Sequence, residues 1–157
     1  DVEIDITAPN KPVIASINND SGTSGSDGIT NDQTLTIIGT AEANSTVTLY
    51  IGAILIGTVA TNGTGNWTFD YTGTTLAEGS YTFTTTATDG AGNTSGASSD
   101  FDVVIDITAP AQAIISGIST DSGLSNSDEL TNDQTIEISG TAEANSVVEV
   151  FRGITSL

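Results

Sequence analysis

Residues 33–60 read QTLTIIGTAEANSTVTLYIGAILIGTVA. Leu35 and Ile37 alternate with Thr34 and Thr36. Val47 and Leu49 alternate with Thr46 and Thr48. A period of two places successive side chains on opposite faces of a strand, one apolar and one polar. The alternation breaks at AEANS (41–45) and at Gly52, both turn-like. The stretch therefore predicts three strands, over 33–39, 45–51 and 53–60. Its apolar part, 50–60, is too short and too glycine-interrupted to span a bilayer.

The flanks follow the same rule. Trp67, Phe69 and Tyr71 alternate with Thr68 and Asp70, and Tyr81, Phe83, Thr85 and Ala87 alternate with other residues. Further strands are expected over 12–18, 65–71, 79–88 and 100–105. Asn62-Gly63 suggests a hairpin turn between two of them. No segment has helical periodicity, and β-branched residues dominate. Seven short strands in one repeat predict an all-β chain, an immunoglobulin-like β-sandwich in tandem array. Trp67 is then expected in the core and not as a sugar-stacking platform. Tyr81 stands where a corner-forming tyrosine would.

The array follows from self-similarity. Sliding the chain by 101 positions superposes residues 1–56 on 102–157 without a gap, and more than half of the pairs are identical. DITAP occurs at 5–9 and 106–110, and GTAEANS at 39–45 and 140–146. So long a period fits whole domains in series, with DITAP as the junction. Residues 1–6 are expected to be the last strand of a preceding repeat. Residues 7–106 form a complete repeat, and 107–157 the first half of the next, truncated. A half sandwich cannot bury its inner face alone. Differences between the copies report burial. Thr36 pairs with Glu137 and Ile38 with Ser139, so both positions should face water. Leu35/Ile136, Ile37/Ile138, Val2/Val103 and Ile4/Ile105 should face the core, and Glu3/Val104 should face outward.

Composition narrows the chemistry. The 157 residues include 20 acids, two cations (Lys11 and Arg152) and no histidine, for a net charge of −18. Nucleic acid and anionic membrane surfaces are excluded as partners. There is no cysteine, hence no disulfide or thiol chemistry. Without His or Cys, nucleophile–base pairs are nearly unavailable. Paired carboxylates could cleave glycosides, but nothing in the sequence sets two of them in an apolar cleft. The chain is not expected to be an enzyme.

The ordered set GTAEANS (39–45), GNWTF (65–69), LAEGSYTFTTTATDGAGNTS (76–95) and DITAP resembles the bacterial Ig-like repeats of large type I-secreted surface adhesins, of the biofilm-associated and repeats-in-toxin groups. The resemblance implies an extender module outside the cell, on the bacterial surface, supporting adhesion and biofilm formation. Its partners would be adjacent Ig-like repeats of the same protein; other chains in a fibre are a separate expectation, raised by the truncated ends. It also implies calcium (Ca2+) at the junctions, held by Asp5, Asp106, Glu42, Glu143 and Asp89.

The fold gives that implication a geometry. The loops carrying Glu42 and Asp89 gather at the end where the chain enters, beside Asp5. Calcium takes six to eight oxygen ligands, so three carboxylates with backbone carbonyls and water suffice. The plainer alternative is that these acids cap loop N–H groups. A second candidate is the 18–34 loop, NNDSGTSGSDGITNDQT, with Asp20, Asp27 and Asp32, repeated as Asp121, Asp128 and Asp133. It is expected at the opposite pole, near Asp106. Its alternative is a solvated glycine-serine loop. Two other functions stay open at this level: a glycan- or surface-binding module, and a filament subunit that exchanges strand 1–6 with a neighbour. The acidity could also be a halophile's surface.

Overall fold

The structure is a computed structural model that describes residues 2–22, 24–119, 121–122, 125 and 128–156. The chain divides into two compact units, Asp1–Ile107 and Thr108–Leu157. Among the described residues all regular structure is β.

Unit 1 holds β1 (Val13–Ile17), β2 (Ile29–Thr30), β3 (Thr36–Thr40), β4 (Thr46–Ile51), β5 (Ile54–Ala60), β6 (Asn66–Asp70), β7 (Gly79–Thr88) and β8 (Phe101–Ile105). One sheet has the order β1-β3-β6 and the other β2-β8-β7-β4-β5. All pairings are antiparallel except β2 with β8, which is parallel. The seven expected strands are present. The two-residue β2 is additional: the chain leaves the first sheet after β1 and joins the edge of the second.

The core lies between the sheets. Leu35, Ile37, Val47, Leu49, Phe83, Val103 and Ile105 are fully buried, and Trp67 is 2 % exposed. All but Leu35, which directly precedes β3, come from the apolar phase of an alternating strand, as the periodicity predicts. Ile38 lies outside and Thr36 is half-buried. Phe69 and Tyr71 stack at 6.0 Å and pack against this cluster. Tyr81 donates its phenol to the carbonyl of Ala77 at 3.0 Å, the corner expected at the start of β7.

Two expectations are corrected. Asn62-Gly63 does not close a hairpin. β5 pairs with β4 while β6 pairs with β3, so residues 61–65 carry the chain from one sheet to the other. Asn62 builds that crossover, accepting from the amides of Thr64 and Asn66 through Oδ1. The tight hairpin is instead at Gly52-Ala53, between β4 and β5. Val2 and Ile4 are not inward-facing. Residues 2–12 carry no strand, and Val2 is 92 % and Ile4 83 % exposed, whereas Val103 and Ile105 are buried completely. The physical difference is neighbours: β8 lies between β7 and β2, and residues 2–6 adjoin no strand.

Unit 2 repeats the local pairings of unit 1. β9 (Ile114–Ile118) pairs with β10 (Ile138–Thr141) in the register of β1 and β3, and both ladders shift where a bulge interrupts them. β11 (Phe151–Arg152) and β12 (Thr155–Ser156) repeat the β4–β5 hairpin. Their apolar residues are open to solvent: Ile114, Ile115, Ile136, Ile138, Val148 and Phe151 are all exposed.

Candidate junction sites at the two poles

The antiparallel order sends loops 41–45, 61–65 and 89–100 of unit 1 to the end where the chain enters β1. The turns at 31–35, 52–53 and 71–78 lie at the other end.

At the entry pole, Asn93 is the central group. Its amide nitrogen donates to the carboxylate of Asp89 at 2.9 Å and to the backbone carbonyl of Asp5 at 3.2 Å. Asp89 Oδ1 accepts from the amides of Ala91 and Asn93. The hydrogen bond from the Asn93 side chain, with the backbone amides, holds the Asp89 carboxyl below the usual 3.8. Asp5 Oδ1 accepts from the amide of Thr7 at 2.9 Å. The side chain of Lys11 lies against Gly96, on the same loop. The entering segment is thus tied to the β7–β8 loop.

Asp5 and Asp89 are brought together, bridged by Asn93, while their carboxylates cap backbone amides. Glu42 stands nearby on the β3–β4 loop, beside Asn10 and Lys11 around a cavity of about 230 Å³. The backbone carbonyl of Glu42 accepts from Ser45 and Thr61. In unit 2 the equivalent Glu143 reaches the entering segment: its Oε2 accepts from the amide of Ala111 at 3.0 Å.

The described residues of the 19–32 segment carry a hydrogen-bonded frame, while Gly22, Gly25, Ser26, Asp27, Ile29 and Asn31 are exposed. Thr30 is 1 % exposed, and its hydroxyl donates to the Asn19 carbonyl at 2.8 Å. The same oxygen accepts from the amides of Ser21 and Asp32. Ser21 Oγ donates to Asn31 Oδ1 at 2.7 Å. Asp20 Oδ2 accepts from the Gly28 amide, and Asp27 Oδ1 from that of Ile29. Asp32 Oδ1 accepts from the Thr34 amide and hydroxyl, which lowers its pKa below the usual 3.8. Within this frame Asp20 Oδ1 is buried and, among the described residues, without a hydrogen-bond partner. In unit 2 the Asp121 Oδ2 likewise accepts from the Glu129 amide, and Asp121 Oδ1 is buried with no hydrogen-bond partner among the described residues.

At the exit pole the Asp106 amide donates to the Thr30 carbonyl at 2.9 Å, two residues from Asp32. Asp20 and Asp27 instead border a cavity of about 160 Å³ that Asp102 of β8 also lines. Among the described residues, no group of three or more His, Cys, Asp or Glu could by itself hold a metal. Backbone carbonyls and water would have to complete any calcium shell here.

Sequence reasoning missed Asn93, Ser21 and Thr30. For the latter two a signal was present: Ser21, Thr30 and Asn31 recur as Ser122, Thr131 and Asn132, while Thr23, Gly25 and Gly28 change around them. Ser122 again donates to Asn132 at 2.7 Å.

A three-stranded sheet packed on a five-stranded one, with the chain switching sheets between β1 and β2, defines an immunoglobulin-like sandwich. The chain belongs to a bacterial family of that fold: the family model described as "Bacterial Ig-like domain" matches residues 7–107. Domains of this family are non-catalytic modules, usually carried by surface or secreted proteins. No curated protein matches the chain.

Proposed function

We propose that this chain is a stretch of a large bacterial cell-surface adhesin. In this reading residues 7–106 are one extender repeat, 1–6 end the preceding repeat, and 107–157 begin the following one. The observation that carries the reading is the tie between Asp5, Asn93 and Asp89. A module that hydrogen-bonds its own incoming segment sets the direction in which that segment arrives. Repeated at each DITAP, this makes a rod from modules of ~35–45 Å each, taking strands of about seven residues at ~3.3 Å per residue plus loops. Reach of this kind serves adhesion and biofilm formation.

Calcium is the proposed stiffening ion. Its support is the link of Asp5 to Asp89 through Asn93 where the chain enters the module, and the buried Oδ1 atoms of Asp20 and Asp121, which have no hydrogen-bond partner among the described residues. Ions there would also offset part of the −18 charge. The test is small-angle scattering of the protein in calcium and after chelation. The maximum dimension should shorten and the profile broaden once the ions are removed. An unchanged profile refutes calcium stiffening.

A second reading, strand exchange in a filament, is favoured by the exposure of Val2, Ile4 and Ile6. It predicts head-to-tail association that is lost when residues 1–6 are deleted, and a monodisperse monomer at high concentration argues against it.

A further inference from the structure

Residues 43–69 contain no charged residue, although the chain as a whole carries −18. The segment comprises β4, β5 and most of β6. β5 ends its sheet, with β4 as its one neighbour. Its outer edge therefore offers free backbone donors and acceptors. Thr61 donates inward to the Ser45 carbonyl, so alternation turns the amides of Thr58 and Ala60 outward.

Edge strands are normally blunted by lysine, proline or an inward charge. β5, ILIGTVA, has none of these. Ile54 is 70 % and Leu55 57 % exposed. The second repeat shows that the fold does not require apolar residues there. Its hairpin keeps the same register with Thr155 and Ser156 in their places, and with charged Glu149 and Arg152 at the positions of Thr48 and Ile51. The first repeat is apolar at positions where its twin is polar.

From this we infer that β5 is a docking edge for a second copy of this chain, pairing antiparallel with the same strand across a two-fold axis. Such an interface is self-complementary, because β5 presents the same donors, acceptors and apolar side chains to its mate. Charge selects the partner. Two acidic molecules repel most where their carboxylates meet; this uncharged face keeps carboxylates out of the contact and leaves the longer-range repulsion that salt screens. A basic partner would be drawn to the acidic loops instead. The pairing is lateral, and so is separate from the end-to-end repeat contacts proposed above.

The test is the mass of the full chain by sedimentation equilibrium, at low salt and at roughly 0.5 M salt, where screening confines repulsion to a few ångströms. Wild type should move from 15.9 kDa to twice that as salt rises. Thr58→Pro removes an outward donor and should stay monomeric. The double change Ile54→Thr with Leu55→Ser borrows the second repeat's residues and should also stay monomeric, with an unchanged β-sheet circular dichroism spectrum. If Thr58→Pro does not fold, the double variant decides alone. The proposal is overturned by a wild type that stays monomeric at all salt concentrations, or by species larger than a dimer. It is equally overturned by a dimer as strong in the double variant, which would place association on unit 2 or on residues 2–6.

Discussion

Gly39 stands directly opposite Trp67 in the β3–β6 ladder. A Cβ there would lie within van der Waals exclusion of both the indole ring and the Val13 carbonyl oxygen. Gly140 faces the Ile114 carbonyl in the same way. Gly39→Ala should therefore cost about 2–3 kcal/mol by overpacking, read as a lower midpoint in urea unfolding. Thr85 gives the opposite case. It is fully buried, and among the described residues its hydroxyl has no partner. Thr85→Val removes the unpaired oxygen at nearly constant volume and should raise stability by about 1 kcal/mol in the same measurement. Tyr81→Phe deletes the hydrogen bond to Ala77 and should cost about 1 kcal/mol.

At the scale of elements, the strands were legible because burial on one face imposes a period of two, and their turns carry glycine or asparagine. β2 was not legible. Two residues cannot display a period, and their pairing depends on β8, over seventy positions away in the chain. The crossover at Asn62-Gly63 was misread for a related reason: turn chemistry marks a reversal and does not say which strand lies alongside afterwards. The candidate site was half legible. Loop order puts Glu42 and Asp89 at the entry pole, but it did not place Asp20 and Asp27, which border β8, nor Asn93, a neutral side chain whose role depends on reaching a carbonyl 88 residues away. The acidic turns make a pH prediction. Asp32, Asp70 and Asp89 all have pKa values lowered below 3.8, led by hydrogen bonds from Thr34, Thr72 and Asn93 respectively. A lowered folded-state pKa adds stability that is present above the unfolded value and lost as pH falls through the folded one. Thermal midpoints should thus decline below about pH 4, with no step attributable to these groups between pH 5 and 7.

For the whole molecule the governing quantity is charge. With two cations against 20 acids, self-repulsion opposes the folded state. Sodium chloride should raise the thermal midpoint as the screening length drops toward ~10 Å near 0.1 M. Calcium chloride at equal ionic strength should raise it further if carboxylates and carbonyls ligate the ion, as proposed. Equal shifts would mean that the acidity is met by screening alone.

β2 and β8 run in the same direction and are joined by Val104 N to Gly28 O at 2.8 Å and Asp106 N to Thr30 O at 2.9 Å. Gly28 serves this contact closely: its φ is +74°, and a Cβ would sit 2.7 Å from the Asp102 carbonyl oxygen. Tension applied between the ends of unit 1 draws these strands past each other lengthwise. Both bonds are then strained together instead of opening one after the other. A module anchored at one end and tugged at the other loads this two-residue patch in shear, once the pull has passed through the β1–β3 ladder.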